Sequence, residues 1–87
     1  MVTTPGALDA LGRTDEDPFA FLARHQSGDW GDLDDEDRQA NDAALIDGSR
    51  LLSAYETRKG EPLWVITEAV NEIGLRYGTT VLKPEDY

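Results

Sequence analysis

His25, Asp29 and Asp32 form an H-x3-D-x2-D pattern, a set of residue types that can hold a divalent metal. Ligands at i and i+4 share one face of a helix. Gly28, however, breaks any helix between His25 and Asp29, so no metal or other cofactor is expected at this place. His25 is expected to close a helix, with its charge and donors directed at the terminal carbonyls. Asp29, Asp32, Asp34, Asp35, Glu36 and Asp37 crowd six acids into nine residues. A calcium loop needs a glycine at its sixth position and a glutamate at its twelfth. Counted from Asp32, those positions are Asp37 and Ala43, and the pattern fails. The cluster reads as a solvated turn and helix start, with an acidic binding patch as the functional alternative.

Nucleophilic catalysis finds no apparatus. There is one histidine and no cysteine, and Ser27, Ser49 and Ser53 lie in no nucleophile-elbow context. The glycines form no phosphate-binding loop. A carboxylate pair could run hydrolysis, but 87 residues leave little room for the pocket that would tune it. Arg50, Glu68 and Arg76 fall on successive strand segments. A cross-strand ion pair is expected there, with a polar functional cluster as the alternative. Tyr55, Trp64 and Tyr77 read as an aromatic core stripe.

The elements that carry these residues are helices first and strands after. Thr4 caps and Pro5 opens a helix over 5–12, with Leu8 and Leu11 on one face. Asp17 and Pro18 open a second over 18–27, with Phe19, Leu22 and Ala23 as its apolar stripe. The loop Gly28-Asp29-Trp30-Gly31-Asp32 is expected to fold Trp30 back onto the core. A third helix over 34–47 starts on Asp34, with Asp35, Glu36 and Asp37 against the positive end of its dipole, and stops at Gly48. From Arg50 the apolar period changes to two, which predicts strands over 50–57, 63–70 and 75–83. Short connections make them an antiparallel meander. Val2-Thr3-Thr4 could add an edge strand, but three residues are too few to carry that assignment. The expectation is one α+β domain over 1–87, with three N-terminal helices on a three-stranded antiparallel meander.

A net charge of −10 excludes the basic surface that DNA, RNA or an anionic membrane would require. Twelve of the eighteen acids lie in residues 1–48 against three of the eight bases, so one half is acidic and the other nearly neutral. No apolar run reaches a membrane-spanning length, and the first residues carry neither a basic nor an apolar signal segment. A cytoplasmic location is the expectation.

Several runs together resemble a group of small bacterial proteins of plasmids and integrative elements, usually labelled hypothetical or plasmid-related. They are Thr4-Pro5-Gly6-Ala7-Leu8, Leu22-Ala23-Arg24-His25, Ser27-Gly28-Asp29-Trp30-Gly31-Asp32, Asn41, Arg50-Leu51-Leu52-Ser53-Ala54-Tyr55, Trp64-Val65-Ile66-Thr67-Glu68, Thr79-Thr80-Val81-Leu82 and Pro84-Glu85-Asp86-Tyr87. The likeness spans nearly the whole chain. It departs at Ala69 to Gly78, where a longer hairpin tip is implied. It brings no activity, only a mobile-element setting. The expected function is therefore a non-enzymatic acidic interaction protein with a basic protein partner, a nucleic-acid-handling protein of host or element. The alternative is a small metal-dependent or carboxylate-based enzyme centred on His25, Asp29 and Asp32.

Overall fold

The computed structural model describes residues 1–76 and 78–87. Its elements are β1 (Val2–Thr3), α1 (Pro5–Thr14), α2 (Pro18–Gln26), α3 (Asp35–Asp47), β2 (Leu51–Glu56), β3 (Pro62–Thr67), β4 (Thr79–Leu82) and a closing 3-10 turn, Pro84–Asp86. The chain is α+β, but the sheet has four strands in the order β1-β4-β3-β2. The expected meander is present as β2-β3-β4, antiparallel throughout. The N-terminal segment corrects it to a mixed sheet. Val2 pairs with Thr80 and Thr3 with Val81 in parallel, and Thr4 N–H donates to the Val81 carbonyl at 3.0 Å. The helical segments are not all N-terminal either, since β1 precedes them and the 3-10 turn follows the sheet.

The helix starts follow their caps. Thr4 accepts from Ala7 N–H, Asp17 from Phe19 N–H and Asp34 from Asp37 N–H. Helix faces differ from the expected stripes. In α1, Ala7, Ala10 and Leu11 are buried and Leu8 is exposed. In α2, Phe21 and His25 face inward, Phe19 is exposed, Leu22 half-buried and Ala23 exposed. Two alanines at i and i+3 let α1 lie close on the sheet, which a leucine stripe would prevent. The main core joins Ala7, Ala10, Leu11 and Phe21 to Tyr55, Leu63, Val65 and Val81. Helix α1 runs past Gly12 to Thr14 because Thr14 is buried and its hydroxyl donates to the Leu11 carbonyl.

The strands end earlier than their apolar runs. Pairing of β3 with β4 stops at Thr67 and Thr79. Beyond it Val70 N–H donates to the Gly48 carbonyl at 2.8 Å, which draws the chain away from the sheet toward the end of α3. The tip is long, with one isolated antiparallel bridge between Val70 and Arg76 and a turn at Asn71–Gly74. Tyr77 lies outside the described residues. Tyr55 and Trp64 do not share a stripe: Ala54 is the partner of Trp64, so the two rings point to opposite faces. Tyr55 is in the core, while Trp64 is half-buried and meets Tyr87 edge to face at 5.9 Å.

The outer edge of β2 is covered by the loop and helix that precede it. Ala54 N–H donates to the Trp30 carbonyl at 3.1 Å, and Asp32 N–H donates to the Ala54 carbonyl at 2.7 Å. One pair along, the Asn41 side-chain amide donates to the Leu52 carbonyl at 2.6 Å and accepts from Leu52 N–H at 3.1 Å. Gly31 permits this approach. Its φ is +74°, and a Cβ there would lie 1.9 Å from the Ala54 carbonyl oxygen.

Candidate functional site

Asp29, Asp32, Asp34, Asp35, Glu36 and Asp37 occupy the loop from α2 to α3 and the first turn of α3. All six are exposed. Two of them are committed to the fold. Asp29 pairs with Arg24 at 2.7 Å and accepts from Gly31 N–H at 3.1 Å; the Arg24 bond chiefly holds its carboxyl below the usual carboxylate range. Asp34 caps α3, accepting from Asp37 N–H at 2.8 Å. Asp32, Asp35, Glu36 and Asp37 join no ion pair among the described residues. The base nearest in sequence, Arg38, turns its guanidinium onto the carbonyls of Leu33 and Gly31, where it holds the loop. Four exposed carboxylates therefore lie in the loop before α3 and in its first turn.

His25 does not close α2 as a solvent-facing cation. It is buried, at 4% exposure. Nδ1 lies 2.6 Å from the Ser53 hydroxyl and Nε2 lies 2.8 Å from that of Thr67, which in turn bonds the Thr79 hydroxyl at 2.8 Å. Burial pushes the imidazole pKa down, and the charge of Arg76 adds to the effect. The reason for the misplacement is rotational. His25 sits four residues after Phe21, so it follows Phe21 onto the core face of α2. The pattern of His25, Asp29 and Asp32 is thus not assembled: both ring nitrogens and both Asp29 oxygens have other partners. No group of histidine and carboxylates suited to a metal ion occurs among the described residues.

Trp30 meets the expectation that it is buried, at 5% exposure. It packs with Ala44, Leu51 and Leu33, stands edge to face with His25 at 5.7 Å, and donates its indole N–H to Asp42 at 3.2 Å.

Arg50, Glu68 and Arg76 do not form the expected cross-strand ion pair. The register carries Arg50 opposite Glu68, but pairing ends at Leu51 and Thr67, and the side chains separate. Arg50 bonds the Tyr87 hydroxyl and lies over that ring, 5.2 Å from its centroid. Arg76 donates to the carbonyls of Ser49 at 2.8 Å, Glu68 at 2.9 Å and Ala44 at 3.2 Å. Arg76 shares the Ala44 carbonyl with the Gly48 N–H that caps α3, and its fork reaches the Ser49 and Glu68 carbonyls as well. Arg76 thus ties the hairpin tip to the end of α3, while Arg50 is engaged with Tyr87.

Ser53, Thr67 and Thr79 escaped the reading of the sequence. The usable signal was Ser53, a polar residue between Leu51 and Tyr55 on the core side of an alternating strand. A buried hydroxyl requires a partner, and the single histidine was available. No helix is long and apolar enough to cross a membrane among the described residues. No family model, curated protein or solved structure matches the chain.

Proposed function

We propose that the protein is a small, non-enzymatic interaction module of a mobile genetic element. It would bind the basic surface of a nucleic-acid-handling protein of the host or the element. The observation that carries this reading is the set Asp32, Asp35, Glu36 and Asp37, exposed in the loop before α3 and in its first turn, with no ion pair among the described residues. Charges already neutralised by a neighbour attract a partner weakly; these four keep their field. A surface evolved to grip DNA presents Lys and Arg against roughly one phosphate per 1.7 Å of helix axis, and a dense carboxylate row offers it a comparable target. The likeness to proteins of plasmids and integrative elements supports the choice of partner class. The enzyme alternative would need His25, Asp29 and Asp32 in one site, and the His25 ring and the Asp29 carboxylate are each engaged with other partners.

The test is retention on the immobilised protein. Wild type and the Asp32→Asn, Asp35→Asn, Glu36→Gln, Asp37→Asn variant would be loaded with host lysate and eluted by a salt gradient. Asp34 stays in place, so α3 keeps its cap. Wild type should retain basic nucleic-acid-binding proteins that salt releases, and the variant should lose them, with the on-rate for a purified partner falling more than the off-rate rises. The same retained set on both proteins, with the same salt profile, would end this reading.

A further inference from the structure

Ten large hydrophobic side chains are exposed among the described residues, and five of them lie on two segments that fold against each other. Leu45 (59%) and Ile46 (91%) are on the last turn of α3, and Val70 (39%), Ile73 (78%) and Leu75 (60%) are on the hairpin tip. Val70 N–H donates to the Gly48 carbonyl at 2.8 Å, and the Val70 side chain lies so close that a Cβ at Gly48 would meet it at 2.5 Å. Arg76 reaches the Ala44 carbonyl at 3.2 Å and that of Ser49 at 2.8 Å. The tip and the end of α3 therefore form one end of the molecule. A single exposed leucine or isoleucine is ordinary on a protein surface, but a concentration of them marks a contact surface.

The charges around these residues say what suits them. Residues 42–49 and 68–76 hold Asp42, Asp47, Glu68 and Glu72 against Arg76 alone, four acids and one base. All four carboxylates are exposed and join no ion pair among the described residues. Arg76 spends its guanidinium on the carbonyls of Ala44, Ser49 and Glu68. Asp42 stands three and four positions before Leu45 and Ile46, so it borders both on the helix surface. The last turn of α3 has no base of its own, and the negative pole of the helix dipole lies there as well. A second copy meeting this end about a twofold axis would set the same carboxylates against themselves. An anionic membrane would be repelled in the same way.

We propose that the end of α3 and the hairpin tip form a docking surface for a partner segment whose apolar residues are flanked by lysine or arginine. Leu45, Ile46, Ile73 and Leu75 take its apolar side chains, and Asp42, Asp47, Glu68 and Glu72 take its cations. The surface lies at the other end of a helix about 20 Å long from Asp35, Glu36 and Asp37, and it does not depend on the partner proposed for them.

The test titrates labelled protein at physiological salt with three synthetic peptides of equal length, made of leucine and lysine, of leucine and glutamate, and of serine and lysine. The leucine–lysine peptide should shift the methyl signals of Leu45, Ile46, Ile73 and Leu75 saturably, with the negative heat-capacity change of apolar burial. The serine–lysine peptide should bind about tenfold more weakly or worse, for want of apolar side chains to bury, and the leucine–glutamate peptide should not bind. Ile46→Ser, Ile73→Ser and Leu75→Ser together change only exposed positions, and should weaken the leucine–lysine peptide about tenfold or more. The Asp32→Asn, Asp35→Asn, Glu36→Gln, Asp37→Asn variant should hold it within about threefold of wild type, because salt screens charges more than a Debye length away. Unchanged affinity in the triple serine variant, equal binding of the leucine–glutamate peptide, or loss of binding in the variant of the α3 start would overturn the proposal. So would self-association of the free protein that the triple serine variant abolishes, which would make a second copy the occupant, or binding to phosphatidylserine vesicles through the same methyl groups.

Discussion

Trp30 and His25 show how much one side chain holds in a domain of this size. The Trp30 ring fills the space between the loop, Ala44 and Leu51, and its indole N–H has a partner in Asp42. Trp30→Ala removes that ring and its contacts with His25, and should lower the unfolding free energy by about 3–5 kcal/mol, read by urea denaturation. His25 adds a pH dependence of known sign. Burial lowers its folded pKa from the ordinary 6.5, while the unfolded chain titrates near that value. Below about pH 6.5 the unfolded state therefore binds the extra proton first, and stability falls as pH drops from there toward the folded pKa. The groups facing the ring are the hydroxyls of Ser53 and Thr67, Trp30 and the Arg76 charge; none is a carboxylate that would reverse the sign. The urea midpoint should be lower at about pH 5.5 than at about pH 7.5, on either side of the free imidazole value, and His25→Gln should remove that difference whatever its own effect on stability.

At the scale of elements, the closed edge of β2 is the feature most open to test. An exposed edge strand invites pairing with another chain, and here Asn41 and residues 30–32 occupy it. Asn41→Ala leaves the Leu52 N–H and carbonyl without those partners and should cost about 1–3 kcal/mol. Gly31→Ala should be more damaging, because the new Cβ meets the Ala54 carbonyl and a positive φ is imposed on alanine. Size-exclusion chromatography should show a tendency to self-associate in either variant that folds. Both monomeric and as stable as wild type would mean that the edge needs no cover. Helix starts were legible in the sequence because caps are local: Thr4, Asp17 and Asp34 act on amides two or three residues away. The faces of α1 and α2 were not, because the choice between Leu8 and Ala7, or between Phe19 and Phe21, depends on how close the sheet lies.

Over the whole molecule, acid should act in a second stage. Hydrogen bonds from neighbouring groups hold Glu16, Asp29, Asp47, Glu61 and Asp86 below their ordinary pKa values. Each contributes stability above its unfolded pKa, and that contribution is lost as pH falls through the folded value. Asp29, Asp47 and Asp86 are exposed and Glu16 and Glu61 half-buried at the surface, so each contribution is small and screened by salt. The thermal midpoint plotted against pH should decline once below about 6.5, from His25, and again below about 4.5, from the carboxylates. Added salt should flatten the second decline more than the first, since the imidazole is buried. A single transition at about pH 4, the range of free carboxyls, would show that His25 does not titrate differently on folding.

Composition and local pattern determined the class of the protein: an α+β chain whose helices start at Thr4, Asp17 and Asp34 and whose main strands begin near Leu51. They also determined the burial of Trp30, because a large aromatic between two glycine turns has the core as its natural place. These follow from interactions within a few residues of one another. Tertiary structure alone decided that Val2–Thr3 joins β4 in parallel, and that Arg76 braces α3 in place of pairing with Glu68. It also decided that His25 lies inside on Ser53 and Thr67. Each of these depends on segments far apart in the chain: 28 residues separate His25 from Ser53 and 42 separate it from Thr67. Backbone carbonyls and buried hydroxyls took the partners that charge pattern alone had assigned elsewhere, because an unsatisfied buried polar group costs more than an exposed ion pair returns.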